Sequence, residues 1–254
     1  MATATAPIRS QVVSHAAWLA AQKAFLEKEK EFTRQRDELA RLRRELPQEK
    51  VDKAYVFQGP KGQLSLGDLF AGKSQLIVYH FMLAPDWPEG CKGCSFLADQ
   101  FDGAMPHLVQ RDVSFVVVSR APLAEIEAFK KRMGWRFPWV SSSGSDFNYD
   151  YHVSFTPEEI AKGKVYYNYE MQKGESEEMP GASVFRRDPA GVLYHTYSTY
   201  ARGLDPLLVT YQLLDLTPKG RNEEGLPSPM AWVRLHDRYE EAKPAASCCG
   251  EKRG

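Results

Sequence analysis

Residues 75–96 read QLIVYHFMLAPDWPEGCKGCSF, an apolar octapeptide that leads through a proline-rich turn into two cysteines. Gln75 to Met82 is nearly continuous in apolar residues, the pattern of a strand covered on both faces. Downstream of the cysteines, Phe96 to Val109 predicts a helix that Pro106 bends or ends. Val113 to Ser119 (VSFVVVS) is a second buried strand. Pro122 then opens a helix to about Met133, with Leu123, Ile126 and Phe129 on one face. Phe137 to Val140 follows as a short strand. Upstream, Ala54 to Phe57 predicts a strand, Gly59 to Gly62 a turn and Leu64 to Phe70 a short helix. Further on, Val165 to Tyr169, Ala182 to Phe185 and Val192 to Ser198 are expected strands, and Leu207 to Leu216 a closing helix. Asp188-Pro189-Ala190-Gly191 supplies a hairpin turn. Such alternation predicts one α/β domain over residues 51–216 with a sheet of mixed direction.

Two flanks surround it. Residues 1–50 hold a helical arm from about Ser14 to Leu46, roughly 50 Å long. Trp18, Phe25, Phe32, Leu39 and Leu46 recur every seven residues along it, while Ala21, Lys28, Gln35 and Leu42 are only half apolar. So narrow a stripe can dock on the chain's own domain or pair with another subunit, which makes the arm the expected route to a homodimer. Residues 217–254 form a tail carrying Pro218, Pro227, Pro229 and Pro244. Met230 to Glu240 is its one helical stretch, and its last ten residues are expected to be disordered.

Composition narrows the function. Lys plus Arg and Asp plus Glu each total 33 among 254 residues, so the formal net charge is zero, unlike a dedicated nucleic-acid binder. No apolar run approaches the roughly 20 residues that span a bilayer. Met1 to Ser10 lacks the pattern of a signal peptide, and the cytoplasm is the expected compartment. Four cysteines are too few for a secreted disulfide scaffold; in a reducing compartment Cys91-Lys92-Gly93-Cys94 reads as redox-active or metal-binding.

Its setting favours redox chemistry. The pair sits after a buried strand and at the mouth of a helix, where unpaired N–H groups and the positive dipole end stabilise a thiolate. Cys91, outermost, is the expected nucleophile. Cys94, one turn on, is the expected resolving thiol that attacks a mixed disulfide at Cys91. A zinc site would need two further ligands; Cys248 and Cys249 are adjacent near the terminus, and the six histidines show no ligand spacing. No metal or organic cofactor is expected. His80, on the strand leading to the cysteines, is a candidate to manage the proton of the second thiol, against the plainer reading of a core histidine. Asp86, Asp99 and Asp102 are alternatives for that base.

At these residues the chain resembles the thioredoxin-like superfamily, in particular its peroxiredoxin-like branch. Phe115 to Ser143 is similar to the peroxiredoxin run of strand, helix, glycine and Phe-Pro strand, with Phe129, Gly134, Phe137, Pro138 and Ser141 in the matching places. From about Val12 to Arg221 the chain looks like a bacterial family described as predicted dithiol–disulfide oxidoreductases, on the strings YHFM, GCKGCSF, VSRAP, GWRFPWVSS, DFNYD and HTYSTYARG. The resemblance implies a thioredoxin-like fold and thiol–disulfide exchange with a protein or small-molecule disulfide, sustained by a reducing partner it does not identify. Two positions depart from the pattern. Pro88 stands where peroxiredoxins carry a threonine, and the proline that thioredoxins place opposite their cysteines is either Pro180, expected cis, or replaced by Ala182.

Asp146 to Asp150 and Tyr194 to Arg202 could line a cleft or serve as packing. Gly72-Lys73-Ser74 lacks the glycine lead of a phosphate loop and precedes a strand. Cys248-Cys249 reads as part of a solvated tail. Two other functions stay open beside disulfide exchange: peroxide reduction through a Cys91 sulfenate, and a non-catalytic assembly protein.

Overall fold

The computed structural model describes residues 11–240. Its first half runs α1 (His15–Arg44), β1 (Glu49–Lys50), β2 (Val56–Gly59), β3 (Gly62–Ser65), β4 (Gln75–His80), α2 (Lys92–Ala98), α3 (Phe101–Gln110), β5 (Val113–Ser119), α4 (Leu123–Arg132) and β6 (Trp139–Ser141). The second half runs α5 (Phe147–Asp150), α6 (Pro157–Ala161), β7 (Lys164–Tyr167), β8 (Glu170–Lys173), β9 (Gly181–Arg187), β10 (Leu193–Tyr200) and α7 (Val209–Leu214). Eight strands form one sheet in the order β1-β10-β9-β4-β5-β6-β2-β3, and β7 and β8 make a separate hairpin. Strands β4, β5 and β6 are parallel, whereas β9 joins β4 antiparallel, with Tyr79 opposite Ala182 and His80 opposite Gly181. This is a thioredoxin-like α/β fold with a mixed central sheet.

The apolar octapeptide takes the centre of that sheet because helices or loops must cover both its faces. Alternation along β4 sends its side chains to two cores. Tyr79, with Phe81 just beyond the strand, packs with Phe96, Phe101 and Ile126 of the helical layer. Leu76 and Val78 pack with Phe57, Phe70 and Phe147 on the other side. Residue parity on this strand therefore decides which groups can meet the cysteine helix.

Several local expectations change. Leu64 to Phe70 is not one helix: Gly62, at φ +118°, turns the chain back so that β3 pairs with β2, and only Asp68–Phe70 winds into a 3₁₀ turn. The helix after the cysteines starts at Lys92 and breaks at Asp99–Gln100, with Pro106 inside the following α3. At the break the Asp99 carboxylate accepts hydrogen bonds from Trp135 Nε1 (2.8 Å) and His236 Nδ1 (2.6 Å). The closing helix, expected over Leu207 to Leu216, shortens to α7, and a 3₁₀ segment, Ala201–Leu207, containing Pro206, precedes it.

The two flanks behave differently from one another. Helix α1 buries no residue and meets the domain near its end, where the Arg43 guanidinium lies 4.7 Å from the Tyr197 ring. Docking of its stripe on the chain's own domain is thus not what forms; Phe25 and Phe32 are 55% and 64% exposed. Residues 217–239 instead pack as a strap against α2. Val233 and Leu235 are fully buried, and the Trp232 ring meets Phe96 at 5.5 Å. The expected helix at Met230 to Glu240 shrinks to a 3₁₀ turn at His236–Arg238, in a strap held by the burial of Val233 and Leu235. The final ten residues lie outside the described part.

Candidate functional site

Cys91 is the residue that caps the N-terminus of α2, and one backbone bond ties it to the chain just beyond β4. Its N–H donates to Met82 O (3.1 Å), while the Met82 N–H points at the Cys94 sulfur, 3.5 Å away. The Cys91 carbonyl accepts the Ser95 N–H and the Ser95 hydroxyl, both at 2.9 Å. Directly before it the chain passes so close to Phe81 and Phe129 that a Cβ on Gly90 would lie 2.6 Å from both rings. Glycine is needed there for space, not for conformation.

The cysteines are unlike. Cys91 is half-buried and Cys94 is buried. The Cys94 thiol, which donates to the Cys91 sulfur, is the largest influence holding the Cys91 pKa down to about 6 against the opposing effect of burial. The N–H groups of Cys94 and Gly93 at the helix start add to this, and Lys92 adds least. Burial, then the hydrogen bond to Cys91 and the charge on that sulfur, pushes the Cys94 thiol well above its ordinary value. One sulfur is poised as a thiolate at neutral pH. The other is held as a proton-bearing thiol.

Alkylation should read this asymmetry directly. The rate of Cys91 modification by iodoacetamide, followed by peptide mass spectrometry, is expected to rise with a midpoint near pH 6, while Cys94 stays unlabelled in the folded protein. A midpoint above pH 8 for Cys91 would contradict the arrangement described.

His80, the sequence candidate for proton management, is not brought to the cysteines. Its ring lies on the opposite face of β4, stacked on Tyr151 at 6.0 Å, with Nε2 2.8 Å from the Ser183 hydroxyl. Burial and the neighbouring His195 push its pKa down to about 3, so it is a neutral core group. From Ser183 the contacts continue to Ser198 (2.8 Å) and on to His195 Nε2 (2.7 Å). Of the alternative bases, Asp99 is engaged as above, Asp102 accepts the Arg136 N–H (2.9 Å), and Asp86 is exposed. The polar group facing Cys94 is Tyr79, whose hydroxyl lowers the buried thiol's pKa. Parity was the available signal for it: on a strand the neighbour of His80 faces the other way.

Two further segments complete the surroundings. Loop 177–180 is tied to the turn before the cysteines by Trp87 Nε1 donating to Glu177 (2.9 Å), and Tyr167 donates to Pro180 O (2.6 Å). Peptide bonds are all trans among the described residues, Met179–Pro180 included, so the expected cis proline is absent. Ala182 occupies the position opposite Tyr79. On the helix side the strap carries Met230, whose methyl and sulfur lie 3.5 and 3.7 Å from where a Gly93 Cβ would be, with Cys91 Sγ at 3.8 Å from the same point. Nothing in the local sequence near the cysteines foretells that thioether, which arrives from over 130 residues downstream. The aromatic segments around Asp146 to Asp150 and Tyr194 to Arg202 instead border a 480 Å³ cavity lined by Tyr55, Tyr151 and His195, both tyrosines belonging to the core on the far face of the sheet. No cluster of three or more metal-ligating side chains occurs among the described residues. No described helix is long and apolar enough to cross a membrane.

A family model described as "Bacterial protein of unknown function (DUF899)" matches residues 7–239. No curated protein matches the chain. Among solved structures it is similar to the peroxidoxin BcpB from Mycobacterium tuberculosis, at 14% identity over 66% of this chain and 97% of that one, with a TM-score of 0.42. It is also similar to peroxiredoxin Q from Xanthomonas campestris (16% identity, 64% and 96% covered, TM-score 0.39). The mitochondrial 2-Cys peroxiredoxin of Plasmodium falciparum stands alike (12% identity, 66% and 94% covered, TM-score 0.39).

Proposed function

Since the chain belongs to the bacterial DUF899 family, whose description assigns no chemistry, we propose a function from the site itself: thiol–disulfide exchange at Cys91 and Cys94. The observation that carries it is the contrast between a half-exposed capping thiolate and a buried, protonated thiol one turn away. The Cys91 thiolate attacks one sulfur of a substrate disulfide; the substrate S–S bond breaks and its other sulfur leaves as a thiolate that takes a proton from solvent. Cys94 then gives up its proton and attacks the Cys91 sulfur, and the second substrate sulfur leaves. The substrate gains two electrons and the pair becomes a Cys91–Cys94 disulfide. Tyr79 and the Met82 N–H supply hydrogen bonds to Cys94 as it acquires charge.

The test is whether that disulfide forms and at what potential. Diamide is expected to convert the pair to an intramolecular disulfide, seen as a Cys91–Cys94 loop within one peptide. Equilibration with glutathione then gives its potential, near −270 mV for a reductant and near −120 mV for an oxidant. A protein that never forms the bond under diamide has no such activity.

We further propose that the stripe on α1 covers the same stripe of a second copy. The two surfaces match in length, each presents Trp18, Phe25, Phe32 and Leu39, and a self-complementary patch closes as a twofold dimer. The doubly charged variant Phe25→Asp/Phe32→Asp is expected to sediment at half the mass of the wild type with an unchanged circular dichroism spectrum. A monomeric wild type would overturn the assignment.

A further inference from the structure

The 480 Å³ cavity on the far face of the sheet has no part in cysteine chemistry, yet its walls come from distant parts of the chain. Tyr55, Tyr151, Tyr166 and Tyr169 line it together with His195 and Glu49. Its volume is that of a small-molecule site. Tyr169 holds its place at a cost: it follows Asn168 in the β7–β8 turn at φ +66°, a conformation that bulky side chains rarely adopt. Its hydroxyl donates to Ser198 O (3.0 Å), which ties the turn to β10. Backbone strain of this kind gathers at ligand sites.

Two polar atoms at the cavity are left without partners. Tyr151 is 8% exposed, but its hydroxyl has no hydrogen-bond partner among the described residues. The hydroxyls of Tyr55 and Tyr200, by contrast, donate to Asp150 (2.8 Å) and to Tyr151 O (3.1 Å). His195 supplies the second atom. Its Nε2 lies 3.1 Å from Tyr197 O and 2.7 Å from the Ser198 hydroxyl. A carbonyl only accepts, so Nε2 carries the hydrogen, and burial keeps the ring neutral by pushing its pKa down. Nδ1 is then a bare lone pair. Glu49 Oε2, also an acceptor, stands 3.8 Å from it. Two acceptors with no hydrogen between them leave a place for a donor.

Charge gives the sign of that donor. Lys53 is held by Asp146 (2.8 Å) and Asp150 (2.6 Å), and Lys50 by Asp52, so the lysines at this cavity are neutralised. Glu49 has no lysine or arginine partner among the described residues. Tyrosine faces add the negative side of the ring quadrupole. We propose that the cavity binds a protonated primary amine carried on a small aromatic body. The ammonium donates to His195 Nδ1, to Glu49 and to the Tyr151 hydroxyl oxygen, and the tyrosine rings cover the aromatic part. The site stands apart from disulfide exchange, because Cys94 belongs to the core on the opposite face.

Titration calorimetry of the full chain with phenethylammonium tests the assignment. Saturable one-to-one binding is expected, with the neutral phenethyl alcohol at least about tenfold weaker and the trimethylammonium counterpart, which has no N–H, at least about threefold weaker. Glu49→Gln is expected to weaken the amine at least about threefold. Tyr151→Phe is expected to do the same with an unchanged urea midpoint, since that hydroxyl has no protein partner to lose. Neither variant should alter the alkylation rate of Cys91. Equal binding of amine and alcohol overturns the reading of charge, and equal binding of the trimethyl compound overturns the donor array. No saturable binding at millimolar amine, or full binding by both variants, overturns the site and leaves the cysteine chemistry untouched.

Discussion

Replacing Cys91 by serine is expected to abolish disulfide reduction, with a loss of at least about a thousandfold, because a serine hydroxyl is not ionised at neutral pH and is a poor nucleophile toward sulfur. The size of the effect does not come mainly from the lowered pKa. At pH 7 a thiol with a pKa of about 6 is roughly 90% ionised, against about 3% at the ordinary value near 8.5, a gain of about thirtyfold. Intrinsic nucleophilicity falls by about tenfold over the same interval, for a Brønsted slope near 0.45, so the net advantage in attack is only two- to threefold. The lowered pKa acts chiefly in regeneration: a reductant attacks the accessible Cys91 sulfur and expels Cys94, and Cys91 is then the leaving thiolate when that mixed disulfide is resolved. Serine at 94 has a different consequence. Cys91 still attacks, but nothing resolves the adduct, and a mixed disulfide with substrate is expected to accumulate to one per chain in a non-reducing gel or intact-mass spectrum. Peroxide reduction would leave the same variant active, with an added thiol to resolve its sulfenate. Sustained peroxide turnover by Cys94→Ser with no trapped disulfide would therefore replace the exchange mechanism with a peroxidase.

The central strand and the cysteine helix were legible because both signals are local: a run of β-branched and aromatic residues of strand length, and two cysteines at a helix mouth. The proposed nucleophile and resolving thiol are named by the same short stretch. Elements that depend on distant partners were not legible. The strap holds Trp232, Val233 and Leu235 in a segment whose prolines and charges imply a tail, and only Phe96 and the other apolar groups of the helical layer give it a place to bury them. Strand β8 has no apolar alternation of its own and exists as the return of a hairpin begun by β7. His80 and Tyr79 show the limit most clearly. Both residue types can carry a proton, and which one faces Cys94 depends on the side of the sheet taken by α2, a tertiary fact.

Substituting Arg120 by methionine is expected to cost about 3–5 kcal/mol of stability at alkaline pH and far less at acid pH. Arg120 follows β5 and is the counter-ion of Glu178, which is 1% exposed and also accepts the Ser154 hydroxyl at 2.9 Å. Its guanidinium also donates to Glu177 (2.8 Å) and to the Tyr149 hydroxyl (2.9 Å). Burial pushes the Glu178 carboxyl up to about 7, with Arg120 and then Ser154 pulling against it. A folded pKa above the unfolded value near 4.5 means that stability from this group is fully present below pH 4.5 and is lost as pH rises to about 7, where the wild type levels off. Without Arg120 the folded pKa climbs further, so the variant keeps losing about 1.4 kcal/mol per pH unit above 7. Below pH 6 the carboxyl is mostly neutral in both proteins, and the difference reduces to lost hydrogen bonds, about 1 kcal/mol. Urea unfolding at pH 5.5 and at pH 9 measures the two regimes. Equal penalties at both would mean that Glu178 is ionised throughout and that burial does not govern it. The same variant frees loop 177–180, which Trp87 links to the cysteine turn, so slower exchange should accompany the alkaline loss of stability.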